Sequence, residues 1–135
     1  MEPEPLDPVQ WLLARPQQFF LGGSANPLDL AASIMADVLL VSEQCVVRCL
    51  GDWWIVGSDV NWMQHPTHSV EDLFKHVVPD PRQGRHSMRA EVIVGAFASR
   101  VALVIDGEER CIKGESPPAS VWAKAKDLRA AVLLV

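Results

Sequence analysis

Two short turn signals, Gly51-Asp52 and Asp106-Gly107, each sit between segments in which apolar and polar residues alternate. A side-chain period of two with a tight turn at its centre specifies an antiparallel hairpin, and Asp-Gly suits the turn because both residues tolerate positive φ. The first hairpin spans 45–50 and 53–58, and the second 101–105 and 108–113. Between and around them the period is helical. Asp7-Pro8 starts a short helix over 9–14, which must stop before Pro16. Asn26 caps a longer one with Pro27 at its first position and Leu28, Ala31, Ala32, Met35 and Leu39 at helical spacing. Ser69 and Asp72 form a capping-box variant opening a helix that ends at Pro79. Further helices are expected over 87–99 and 119–128, and a last strand over 131–135. The order α, α, β, β, α, α, β, β, α, β implies an antiparallel or mixed sheet with helices mainly on one face, a two-layer α/β sandwich.

With 135 residues, 49% of them hydrophobic, the chain makes one domain over 9–135, preceded by a flexible, proline-rich acidic arm at 1–8. Seventeen acidic against twelve basic residues leave a net charge of -5, the wrong field for holding duplex DNA unaided. Three cysteines, an odd number, argue for a reducing compartment rather than a disulfide framework. Cys45 and Cys49 share a strand face about 13 Å apart, too far to bridge, and read as core residues. No apolar run is long enough for a membrane span, and the start is acidic where a secretory signal is basic. The expected location is the cytoplasm.

Four histidines, at positions 65, 68, 76 and 86, lack the spacing of a four-ligand zinc site, so no metal is expected. Five tryptophans accompany no tyrosine. Trp53 and Trp54 must point to opposite sheet faces, so one meets the helices and the other needs a second cover. That cover is either a protein partner or second copy on an exposed aromatic face, or the N-terminal arm or the Trp122 helix.

Several strings, in order, resemble the ATP-binding domain of the DNA gyrase B subunit and topoisomerase IV, in the GHKL superfamily. Arg15-Pro16-Gln17-Gln18-Phe19-Phe20-Leu21-Gly22 is similar to the family's opening Arg-Pro-Gly-Met-Tyr-Ile-Gly. The helix at 28–41 takes the place of the one carrying Glu-x-x-Asp-Asn, and the hairpin at 45–58 that of the strands leading to Asp-x-Gly-x-Gly. Residues 84–98 resemble the Gly-Leu-His-Gly-Val-Gly loop with its helix, and the second hairpin, ending at Gly114, resembles the strands that follow. The resemblance covers about residues 15–114 and implies a GHKL-like fold.

The resemblance also places the working residues, and most are replaced. Ser33 stands where the family has its general base, and a serine cannot take a proton near neutral pH without a base of its own. Asp37 stands at the magnesium-binding Asn; a carboxylate can hold magnesium, and the alternative is a solvated break in the helix. Ser58, beside Asp59, replaces the adenine-recognising Asp, while Val60 and Trp62 replace two glycines. Trp62 then fills part of the adenine's space. His86 keeps the family's His, but Ser87 and Arg89 replace phosphate-wrapping glycines. Arg89, with Arg82 and Arg85, is either an anion holder or a solvated first-turn residue. The implied protein is a non-catalytic binding or regulatory one, without ATPase or topoisomerase activity and without a cofactor. One alternative is an enzyme acting on a small apolar substrate, with His86, Asp37 and Asp59 as polar groups and Trp62 and Met63 as walls. The other is a weak binder of ATP and magnesium through Asp59 or Asp37.

Overall fold

A computed structural model describes residues 7–20, 25–78 and 88–135. The elements are α1 (Pro8–Leu13), a 3₁₀ turn (Pro16–Gln18), α2 (Pro27–Leu39), β1 (Val46–Leu50), β2 (Trp53–Ser58), α3 (Val70–Leu73), α4 (Glu91–Phe97), β3 (Val101–Ile105), β4 (Glu108–Lys113), α5 (Ala119–Ala125) and β5 (Ala130–Leu134). Their order is the one expected from sequence. Residues 1–6 of the expected arm lie outside the described residues, and Asp7 caps α1 by accepting from Val9 N–H at 3.0 Å.

The local signals act as their chemistry requires. Asn26 accepts from Asp29 N–H at 2.9 Å and donates back to the Asp29 carboxylate at 2.7 Å. Ser69 accepts from Asp72 N–H at 3.2 Å. Both hairpin turns use left-handed backbone, at Gly51 (φ 60°) and at Asp106 and Gly107 (φ 51° and 81°). The helix opened by Ser69 is shorter than expected. After Leu73 the chain closes into turns, with the Lys75 and His76 N–H groups both donating to the Asp72 carbonyl at 3.0 Å, and the Val78 carbonyl accepts from Arg89 N–H at 2.8 Å. The following helix accordingly begins at Glu91 rather than at residue 87.

All strands pair antiparallel, in the order β1-β2-β5-β3-β4. The last strand inserts between the two hairpins, so Val56, Val132 and Leu103 lie in one row and Ile55, Leu133 and Ala102 in the next. β5 is buried on both faces along its whole length, which is why it reads as an uninterrupted apolar run. One face packs Val56, Leu103, Val132 and Leu134 against α2 residues Leu30, Ile34 and Val38, and against Leu73, Phe74 and Val94 from α3, its end and α4. α1 packs on α4 through Leu12, Val92 and Ala96. The fold is an α/β sandwich with helices mainly on one face. Among the described residues α5 and the turn after it cover the other, where Val121, Ala125 and Leu128 meet Ile55, Val104 and Leu133.

The two adjacent tryptophans do point to opposite faces, Trp53 buried and Trp54 half-buried. Trp53 is 4% exposed in the α5 layer with Trp122 beside that core, and Trp54 packs against the α2 side. Among the covers expected for the second face, the Trp122 helix lies beside Trp53. The cysteines are a correction. All three are unpaired; Cys45 is half-buried and Cys49 exposed rather than both in the core, and Cys111 is exposed as well. β1 is an edge strand, and α2 lies over β2 and β5 instead, leaving alternate residues of β1 uncovered.

Candidate functional site

The described positions marked by the resemblance lie on α2, at the end of β2 and in the turn after it, and just before α4. Ser33, on α2, donates to the Asp29 carbonyl at 3.0 Å, one helical turn back. Asp37, one turn further along the same helix, is 1% exposed, which excludes a solvated break. Its Oδ2 accepts from Ala90 N–H at 2.8 Å. Ala90 is the N-cap of α4 and has no oxygen of its own to cap with, so a carboxylate from α2 supplies the negative charge favoured at that helix end.

Ser58 ends β2 and is 1% exposed. Its hydroxyl lies 3.1 Å from both Ser42 Oγ and the Gln44 carbonyl, and accepts from Val60 N–H at 3.3 Å. It thereby fastens the α2–β1 connection to the turn after β2. Asp59 beside it is exposed, with a carboxylate oxygen 3.3 Å from Ser58 Oγ.

Trp62 and Met63 are 3% and 1% exposed and belong to the core between the sheet and α2, α3 and α4. The Trp62 carbonyl accepts from Arg89 Nη2 at 2.9 Å, and Arg89 pairs with Glu91 at 2.6 Å. Arg89 is 5% exposed and Glu91 fully buried. This corrects both readings of Arg89: it is neither a solvated first-turn residue nor placed to receive an external anion, because a carboxylate already sits on it. Glu91 was missed by sequence reasoning. The signal available was a lone acid two residues from Arg89 in an otherwise apolar helical segment. His86, Ser87, Arg82 and Arg85 lie outside the described residues.

The turn after β2 also borders a cleft of about 410 Å³. Val41, Val60 and Pro66 form its apolar wall, Asn61, Gln64 and His65 its polar one, and Trp62 contributes to the lining. Met63 does not line it. His65 Nδ1 accepts from the backbone N–H groups of Thr67 at 3.1 Å and His68 at 3.2 Å. An Nδ1 that accepts carries no proton, so the neutral ring has its hydrogen on Nε2. Partial removal from water, followed by the neighbouring His68 and Arg89 charges, lowers the His65 pKa below its ordinary range against a smaller opposing pull from Glu91. Asn61 Oδ1 accepts from Met63 N–H at 3.1 Å, which leaves its amide NH₂ facing outward from that bond. The Trp62 indole N–H is buried and has no hydrogen-bond partner among the described residues. A buried donor left in that state costs about 1–3 kcal/mol. Asn61, Gln64 and His65 went unremarked in the sequence as cleft residues, since nothing local marks a turn side chain as lining a cavity.

Among the described residues, no group of three or more His, Cys, Asp or Glu is arranged to hold a metal ion. No helix among them is long and apolar enough to cross a membrane. Comparison of the chain with protein-family models, curated proteins and solved structures gives no match.

Proposed function

We propose that this is a non-catalytic binding or regulatory protein built on a gyrase-B-like ATP-binding scaffold whose nucleotide space is filled by its own side chains. The observation that carries the reading is the burial of Trp62 and Met63 in the core, at the turn where the resembling family keeps glycines to admit a nucleotide. Three further features favour it. Ser33 holds a helix carbonyl instead of a water. Asp37 is turned to an amide of α4, where a magnesium ligand needs an oxygen open to the ion. Arg89 is neutralised by Glu91. These residues do not fit a magnesium–nucleotide pair, and no ATPase or topoisomerase step is derived through them.

On this reading the protein acts by contact, with a small ligand or with another protein, and resides in the cytoplasm, where its exposed thiols Cys49 and Cys111 stay reduced. The test is thermal unfolding with and without ATP and magnesium, paired with phosphate release. A ligand at about a hundred times its Kd stabilises the state it binds by about 2.7 kcal/mol, a rise of several degrees in Tm. The expected result is an unchanged Tm and no phosphate released above background. A saturable Tm rise with ATP overturns the reading.

A further inference from the structure

We infer that the free edge of β1 pairs antiparallel with the same edge of a second copy, joining two sheets into one about a two-fold axis at Val47. The inference goes beyond the reading above, since no part of it depends on the nucleotide space.

The two edges of the sheet, β1 and β4, differ in what they offer another strand. β4 carries Glu108, Glu109, Arg110 and Lys113, and its register with β3 shifts between Val101 and Ala102. Charge and irregularity of this kind keep an edge from accepting a further strand. β1, Val-Val-Arg-Cys-Leu, pairs with β2 in unbroken register and has a single charge. That charge, Arg48, is held by both carboxylate oxygens of Asp127, at 2.6 and 3.0 Å. The segment leading into β1 is apolar and exposed as well, at Leu39, Leu40 and Val41.

The register follows from the turn. Gly51-Asp52 closes a two-residue hairpin, in which the closing pair Leu50 and Trp53 is the hydrogen-bonded one. Alternation then turns the backbone groups of Val46, Arg48 and Leu50 toward β2 and those of Val47 and Cys49 outward, where no further strand lies among the described residues. The side chains of these two residues are exposed on the α2 side, Val47 at 37%, because α2 lies over β2 instead. The stretch Cys45-Val46-Val47-Arg48-Cys49 fits its own reverse. Centred on Val47, it sets Cys45 opposite the partner's Cys49 and Arg48 opposite the partner's Val46. The outward groups of Cys45, Val47 and Cys49 are then all paired, and no charge meets a like charge. An axis one residue on, at Arg48, would set guanidinium against guanidinium, which is destabilising. Pairing on β1 alone also closes, whereas β1 on β4 of another copy would leave edges free to extend. β1 supplies five residues, against about 20–30 a side in a standard interface, so the dimer belongs to the weak, concentration-dependent class.

The test is sedimentation equilibrium from about 1 µM to about 1 mM, a range that brackets weak specific interfaces. A monomer–dimer equilibrium is expected. Val47→Lys puts like charges on the axis at an exposed position and is expected to weaken the dimer by at least about tenfold. Cys111→Lys, on the β4 edge, is expected to leave it unchanged. Disulfide trapping needs no change in β1. Within one chain Cys45 and Cys49 are about 13 Å apart and cannot bridge, but across the axis a hydrogen-bonded pair has Cα atoms about 5.5 Å apart, within disulfide reach. In Cys111→Ser, diamide is expected to give a covalent dimer whose peptide map joins Cys45 to Cys49. A monomer throughout the range, a dimer indifferent to Val47→Lys or weakened as much by Cys111→Lys, or trapped dimers linked only from Cys49 to Cys49 overturns the inference. A Tm rise with ATP overturns the reading above instead and leaves this one standing.

Discussion

Asp37 Oδ2 accepts the backbone N–H of Ala90 at 2.8 Å, joining the middle of α2 to the start of α4 across 53 residues of chain. The position that the resembling family uses for a metal ligand is here a clamp between two helices. Asp37→Ala removes the capping oxygen and is expected to lower stability by about 1–2 kcal/mol. Asp37→Asn keeps an oxygen acceptor and is expected to lose less. Urea unfolding of the three proteins checks the order. A residue kept for ligand chemistry tends to behave oppositely, its removal leaving stability unchanged or raised.

The Arg89–Glu91 pair, with exposures of 7% and 0% for the two side chains, makes the same point with charge. Glu91→Ala leaves a buried guanidinium without its counter-ion and is expected to cost about 3–5 kcal/mol. The double replacement Arg89→Met with Glu91→Leu removes both charges together. It is expected to recover most of that loss, though not the hydrogen bond to the Trp62 carbonyl. A double-mutant cycle by chemical denaturation measures the coupling, and independence of the two sites would contradict the geometry.

Why the elements were legible and these contacts were not follows from where each is encoded. Asp7, Asn26, Ser69 and Asp106-Gly107 act on backbone within three residues of themselves, so their types alone declare helix starts and turns. The antiparallel sandwich follows from the two hairpins. Placement of β5 between them depends on which apolar run finds two covered faces, a property of the assembled sheet. Asp37 reads as a helix break until Ala90 is known to lie beside it. Arg89 reads as a surface cation until Glu91 and the Trp62 carbonyl close around it. Cys49 erred in the other direction: its strand alternation was right, but an edge position left that face uncovered.

Gly95 gives a prediction that opposes helix propensity. It lies inside α4, where alanine is ordinarily the better residue by about 0.8–1.0 kcal/mol. A Cβ there, however, would run into the carbonyl oxygen of Phe74 and come within 3.1 Å of that carbonyl's carbon. The obstacle is backbone just after α3, which cannot rotate away. Gly95→Ala is expected to destabilise by about 1–3 kcal/mol through overpacking, read as a lower Tm. A stabilised variant would mean that α4 is not seated on the end of α3.

His65 sets a pH dependence with a definite sign. Its Nδ1 accepts two backbone N–H groups, and its pKa is lowered first by desolvation and then by His68 and Arg89, with Glu91 opposing. The unfolded chain therefore takes up the proton more readily than the folded one. The stabilisation is fully present above the ordinary histidine pKa of about 6.5 and is lost as pH falls from there through the lower folded value. His65→Asn retains an oxygen that accepts from the following backbone N–H groups, as an Asx turn does, and does not titrate. Urea midpoints for the native chain and His65→Asn are expected to keep a constant difference above about pH 7 and to converge or cross below about pH 6, as only the native chain is weakened by protonation at this site. Parallel curves across that interval would show that the turn does not depend on an unprotonated Nδ1.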